Sequence, residues 1–91
     1  MDERRVRALV KGRVQGVFFR AGINNLAEDL GLSGWVRNTP EGHVETELQG
    51  DPGAVEKALR FCHKGPAGAE VTHVSVEDRE PSAQAAGFEV R

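Results

Sequence analysis

Val6, Ala8 and Val10 alternate with Arg7, Leu9 and Lys11, and this period of two marks a strand that ends at Gly12. The period then changes. Ile23, Leu26, Ala27 and Leu30 fall at i, i+3, i+4 and i+7, one stripe of a helix that begins at about Ala21. Gly31 sits where a left-handed cap would stop that helix, and Leu32 where it would pack back on the last turn. Gly34 to Asn38 and His43 to Gln49 bracket the turn-forming set Thr39-Pro40-Glu41-Gly42, which reads as a hairpin with Val44, Thr46 and Leu48 on one face. Asp51-Pro52 couples a capping side chain to a proline at the first helical position, and Val55, Ala58, Leu59 and Cys62 repeat the helical stripe to about His63. A Gly/Pro/Ala connection follows, and Thr72, Val74 and Val76 alternate again as a strand. Residues 80–86 are polar and small, a surface loop, and Phe88 and Val90 suggest a short return to the sheet.

The order is strand, helix, strand, strand, helix, strand, with a short extra strand at the C-terminal end. It predicts an α+β fold of the ferredoxin-like, split βαβ (βαββαβ) kind. Two helices with one apolar stripe each are expected to cover one face of an antiparallel sheet, the simplest burial of both stripes in a short chain. Such a fold hosts enzymes, RNA binders and metal carriers alike, so function has to come from a site.

The chain has 91 residues. That length predicts a single domain over 1–91, and a domain this small buries only about 60 to 65% of its unfolded surface, so its elements must share one core. No stretch approaches the roughly 20 apolar residues of a membrane span, and the charged start, Met1 to Arg7, has no apolar signal segment after it. A cytoplasmic location is the expectation. The one cysteine, Cys62, forms no internal disulfide and no thiol metal site. Its place on the apolar stripe marks it as a small hydrophobe.

The net charge is −2, but its distribution is uneven. Residues 1–20 carry six basic side chains against two acidic ones, a balance of +4, whereas 21–91 carry six basic against twelve acidic, a balance of −6. For most of the early arginines the expected role is pairing with Glu45, Glu47 and Glu77 on neighbouring strands. A pI near 5.9 argues against a nucleic-acid binder that works through bulk charge. An RNA-recognition reading of Trp35, Phe18 and Phe19 also fails, because Lys11-Gly12 is followed by Arg13 where an aromatic belongs.

Two segments could carry chemistry. The first, Gly12-Arg13-Val14-Gln15-Gly16-Val17-Phe18-Phe19-Arg20, joins a strand to a helix, and its glycines permit a tight loop with inward-facing amides. An anion could sit there, at the positive end of a helix dipole, gripped in fork geometry by Arg20. The bland alternative has Val17 to Phe19 buried, with Arg20 a solvated charge at the helix entry, or makes the whole stretch a hairpin turning near Gly12. Neither the Walker loop nor the dinucleotide fingerprint is present. The second segment, Gly34-Trp35-Val36-Arg37-Asn38-Thr39, ends a strand on Asn38. Asparagine there is either a turn residue bonded to its own backbone or a carboxamide that holds a water in a chosen direction. In a split βαβ sheet Arg20 and Asn38 can converge. His43, His63 and His73 share no face with another ligand type and are expected at the surface.

These residues resemble the acylphosphatase family. Val10-Lys11-Gly12-Arg13-Val14-Gln15-Gly16-Val17-Phe18-Phe19-Arg20 resembles that family's first signature at every fixed position, and Gly34-Trp35-Val36-Arg37-Asn38 with Gly42, Val44 and Gly50 resembles its second in residue type and spacing. The likeness covers nearly the whole chain and is weakest from Lys64 onward. It implies hydrolysis of the carboxylic–phosphoric anhydride of a small acyl phosphate to carboxylate and inorganic phosphate. No metal, cofactor, nucleic acid or membrane is implied, and nothing demands more than a monomer. By position, Arg20 binds the phosphoryl group, the amides of Gln15, Gly16, Val17, Phe18, Phe19 and Arg20 cradle its oxygens, and Asn38 orients the attacking water. The pair Ala21-Gly22 departs from the bulkier or hydroxyl-bearing residues of many members, which bears on helix rigidity and substrate fit. The competing class is a non-catalytic anion-binding module that keeps the loop without turnover.

Overall fold

A computed structural model describes residues 2–91. Strand β1 spans Arg4–Arg13, helix α1 Phe19–Leu30, β2 Ser33–Asn38, β3 Val44–Gly50, α2 Pro52–Lys64, β4 Glu70–Arg79 and β5 Phe88–Val90. The sheet order is β4-β1-β3-β2-β5. Its first four strands are antiparallel, as the ferredoxin-like pattern requires, and β5 runs parallel to β2, so the whole sheet is mixed.

Alternation along the strands decides which side the helices cover. Val6, Ala8, Val10, Val36, Val44, Thr46 and Leu48 are all fully buried on one face, against Ile23 and Ala27 of α1 and Val55, Ala58, Leu59 and Cys62 of α2. Each buried Val, Leu or Ile among them contributes about 1.5–3 kcal/mol by leaving water. The caps act as the pattern predicts. Gly31 is left-handed at φ 70°, and the Leu32 amide donates to the Ala27 carbonyl at 2.8 Å. At the start of α2 the Asp51 carboxylate accepts from the Ala54 amide at 3.2 Å.

Three expectations need correction. Helix α1 begins at Phe19, not at about Ala21, because Phe19 is 1% exposed and extends the Ile23–Ala27 stripe by one turn. Strand β1 does not end at Gly12. It runs on to Arg13 opposite a bulge in β4, where Thr72 is the extra residue between the partners of Lys11 and Gly12; Gly12 itself has φ 129°, and a Cβ on it would stand 2.1 Å from the Glu70 carbonyl oxygen. The register shift pairs Gly12 with Val71, so Val71 packs on the core while Thr72, expected on the apolar face, is exposed. Finally, Glu77 pairs with Arg79 on its own strand, whereas Arg4 reaches Asp78 and Glu56.

The opposite face of the sheet is charged and partly covered. Glu47, 5% exposed, accepts from both Arg5 and Arg7, and Arg37 pairs with Glu45. Arg7 and Arg91 each lie over the Trp35 ring, at 5.3 and 4.8 Å from its centroid. Residues 80–86 fold across this face: the Gln49 carboxamide donates to the Ser82 carbonyl at 2.9 Å and accepts from the Ser82 amide at 3.0 Å.

The two helices meet through the residues that looked out of place. A Cβ on Gly22 would stand 2.6 Å from Phe61 Cζ, so the glycine seats the Phe61 ring against α1. That ring also meets Phe19 edge-on, with centroids 5.6 Å apart and planes at 63°.

Candidate active site

The loop after β1, the first turns of α1, the end of β2 and β5 enclose a cleft of about 440 Å³. Its walls are Val14, Gly16, Phe18, Phe19, Arg20, Ala21, Asn24, Asn25, Asn38 and Val90. Arg20 and Asn38 are therefore brought to one cavity, although 18 positions separate them in the sequence. A larger groove of about 640 Å³ lies on the charged face, lined by Arg5, Glu47 and Gln49 among others, and contains neither residue.

Two residues of the loop take left-handed backbone conformations. Gly16 takes φ 74° in open space, and Phe18, the residue before α1, is left-handed at φ 63° and ψ 24°. A phenylalanine in that region costs about 1–3 kcal/mol, a strain that concentrates at sites where the chain must present groups in a fixed way. Its ring is 83% exposed at the cleft while Phe19 is buried, so the apolar pair splits between solvent and core. Among the described residues no side chain caps the N-terminus of α1, and no acidic residue lies in its first turn. Its free amides and dipole thus keep their attraction for an anion.

Arg20 belongs to the first turn of α1 instead of ending the loop ahead of it. Its guanidinium Nη1 donates to the main-chain oxygen of Arg91 at 3.1 Å, and the Arg91 amide in turn donates to the Val36 carbonyl at 2.8 Å. Arg20 makes no salt bridge among the described residues, so most of its donors are free. Asn38 is half-buried at the last position of β2, paired with Val44.

Gln15 and Val17 stand outside the cleft lining. The Gln15 side chain turns instead to the β2–β3 turn, where its Nε2 donates to the carbonyls of Thr39 at 2.9 Å and His43 at 2.8 Å. His63 and His73 are exposed as expected; His43 is half-buried, and its Nδ1 is enclosed with no partner among the described residues. Sequence reasoning missed Asn24, one helical turn beyond Arg20 on the same face of α1, a spacing that could have revealed it. Among the described residues no three His, Cys, Asp or Glu side chains gather where they could hold a metal ion.

Element order and cleft together define a ferredoxin-like α+β protein with a cleft beside the loop between its first strand and first helix. The family model described as Acylphosphatase matches residues 6–90, and the chain belongs to that family. It is similar to an acylphosphatase of Rubrobacter xylanophilus, 54% identical over 97% of this chain and 80% of that one. An acylphosphatase of Anaeromyxobacter dehalogenans is 46% identical over 99% and 97% of the two chains. Among solved structures, an acylphosphatase from Bacillus subtilis superposes with a TM-score of 0.91 at 31% identity, covering 97% of this chain and 98% of the other.

Proposed function

We propose that the cleft between Arg20 and Asn38 hydrolyses acyl phosphates to a carboxylate and inorganic phosphate by in-line attack of an oriented water. Membership of the acylphosphatase family supports the hydrolase activity. The observation that carries the assignment to these residues is their convergence on one cleft at an uncapped helix N-terminus.

Each part answers a need of the reaction. The guanidinium of Arg20 grips two phosphoryl oxygens, and the amides of the Gln15-to-Arg20 segment receive the rest, so charge on the equatorial oxygens is met by fixed donors. The Asn38 carboxamide holds the water opposite the leaving group. The bond from water oxygen to phosphorus forms as the bond from phosphorus to the acyl oxygen breaks. The electron pair leaves on a carboxylate whose conjugate acid has a pKa of about 4, so no general acid is required. The water's proton passes to a phosphoryl oxygen, in keeping with a cleft wall that has no histidine or carboxylate among the described residues.

The same reading makes the protein a cytoplasmic monomer acting on a small molecule, and size-exclusion chromatography checks its oligomeric state. The activity is tested by phosphate release from acetyl phosphate and benzoyl phosphate, with and without a chelator, and with inorganic phosphate as competitor. Turnover in both conditions with competitive inhibition by phosphate is expected. Phosphate binding without turnover would make the chain an anion-binding module and overturn the reading.

A further inference from the structure

We propose that Gln15 is a positioning residue whose side chain sets Asn38 at its working distance from the anion loop. The inference rests on the reading that Asn38 orients the attacking water.

The two halves of the cleft come from segments that are not neighbours in the sheet. The loop that holds Arg20 follows β1, whereas Asn38 ends β2, and β3 lies between these strands. Strand pairing fixes where β2 ends but not how the β2–β3 turn leans toward the loop. The Gln15 carboxamide supplies that link. Its two N–H hydrogens go to the carbonyls of Thr39 and His43, the residues on either side of the turn. These are the only side-chain hydrogen bonds between the loop and the turn among the described residues.

Both carbonyls already accept one bond from within the turn. Thr39 receives the Gly42 amide at 3.1 Å, and His43 receives the Thr39 amide at 2.9 Å. Gln15 therefore fills the second lone pair of each and is not what closes the turn. Thr39 is itself 7% exposed, with its hydroxyl accepting from the His43 amide, so the turn is a stiff body. Holding its Thr39 carbonyl fixes the peptide next to Asn38. Only a primary amide on a two-carbon stem offers two diverging donors at this reach; a carboxylate of the same shape offers none and would repel both carbonyls.

The test uses Gln15→Met, which keeps the volume and removes the donors, and which should fold because the turn retains its own bonds. Its kcat for acetyl phosphate is expected to fall about tenfold to a hundredfold, the penalty for a small misplacement of a reacting group. The inhibition constant for inorganic phosphate should stay within about threefold, because the main-chain cradle and Arg20 are untouched. Since Gln15 acts through Asn38, the same change in an Asn38→Ala background should cost less than about twofold. Gln15→Glu should be worse than Gln15→Met at neutral pH and should recover relative to wild type as acid protonates the carboxyl and restores a donor.

Equal losses in the two backgrounds, an unchanged kcat in Gln15→Met, or loss of phosphate affinity would each overturn the positioning role. A wild-type kcat in Asn38→Ala alone would instead sink the proposed function on which it rests.

Discussion

Arg20 of α1 is tethered to the end of β5: its Nη1 meets the main-chain oxygen of Arg91 at 3.1 Å, and the remaining guanidinium faces the cleft that Val90 helps to wall. One donor thus orients the group while the others stay available, the arrangement that a fork-shaped phosphate ligand needs. Replacing Arg20 by alanine is expected to cut kcat/KM for acetyl phosphate by at least about 10³ and to abolish competition by inorganic phosphate. Arg20→Lys should recover little, because a point charge cannot hold both the Arg91 oxygen and two phosphoryl oxygens. Steady-state kinetics on the two variants, with circular dichroism to confirm folding, checks this.

Asn38→Ala should lower kcat by about 10² and leave the phosphate inhibition constant near its wild-type value. The residue ends β2 and its backbone pairing with Val44 does not depend on the side chain, so the melting temperature should hardly move. A parallel loss of phosphate affinity would make Asn38 a ligand instead of a guide for water.

Much of this was legible along the chain because it rests on local periods. The Ile23–Ala27 and Val55–Cys62 stripes, the Gly31 cap and the Asp51-Pro52 start each involve residues within one or two turns of one another, and each lies where its spacing says. What escaped depends on partners far away. The need for glycine at position 12 is set by the Glu70 carbonyl of β4, and the burial of Glu47 and Gln49 by arginines of β1 and the loop around Ser82. Gln15 is read as part of an anion loop, yet nothing short of the folded turn shows that its side chain serves Thr39 and His43. Gly22 looks like a weak point in a helix until the Phe61 ring is seen resting on it.

Acid should weaken the fold through Glu47. Burial pushes its carboxyl up, but hydrogen bonds from Arg5 and Arg7 and their charges outweigh that and hold it below the usual carboxylate value. A carboxyl with a depressed folded pKa contributes stability that is full above its unfolded value and is lost as pH falls through the folded one. Glu47→Gln should therefore be less stable than wild type near neutrality, and the gap should narrow as pH drops below about 4. Urea denaturation at a series of pH values measures it.

Gly34 is a position where no side chain fits. It has φ 138°, and a Cβ there would stand 1.8 Å from the Glu47 carbonyl oxygen, a backbone atom of the paired strand that cannot swing aside. Gly34→Ala is expected to cost about 3 kcal/mol or more, through strain and a parted β2–β3 ladder. Thermal unfolding of the variant tests this, and Gly42→Ala, where φ is 93° but the space is open, should be milder.

Cys62 is fully enclosed between helix and sheet, and desolvation drives its thiol pKa up to about 12. It is also the sole sulfhydryl of the chain. The molecule consequently carries its own gauge of breathing: an alkylating reagent can reach that sulfur only when the layers part, so labelling speed follows the share of time the core stands open. Phosphate bound in the Arg20–Asn38 cleft, by favouring the closed form, would be heard there as a slower clock.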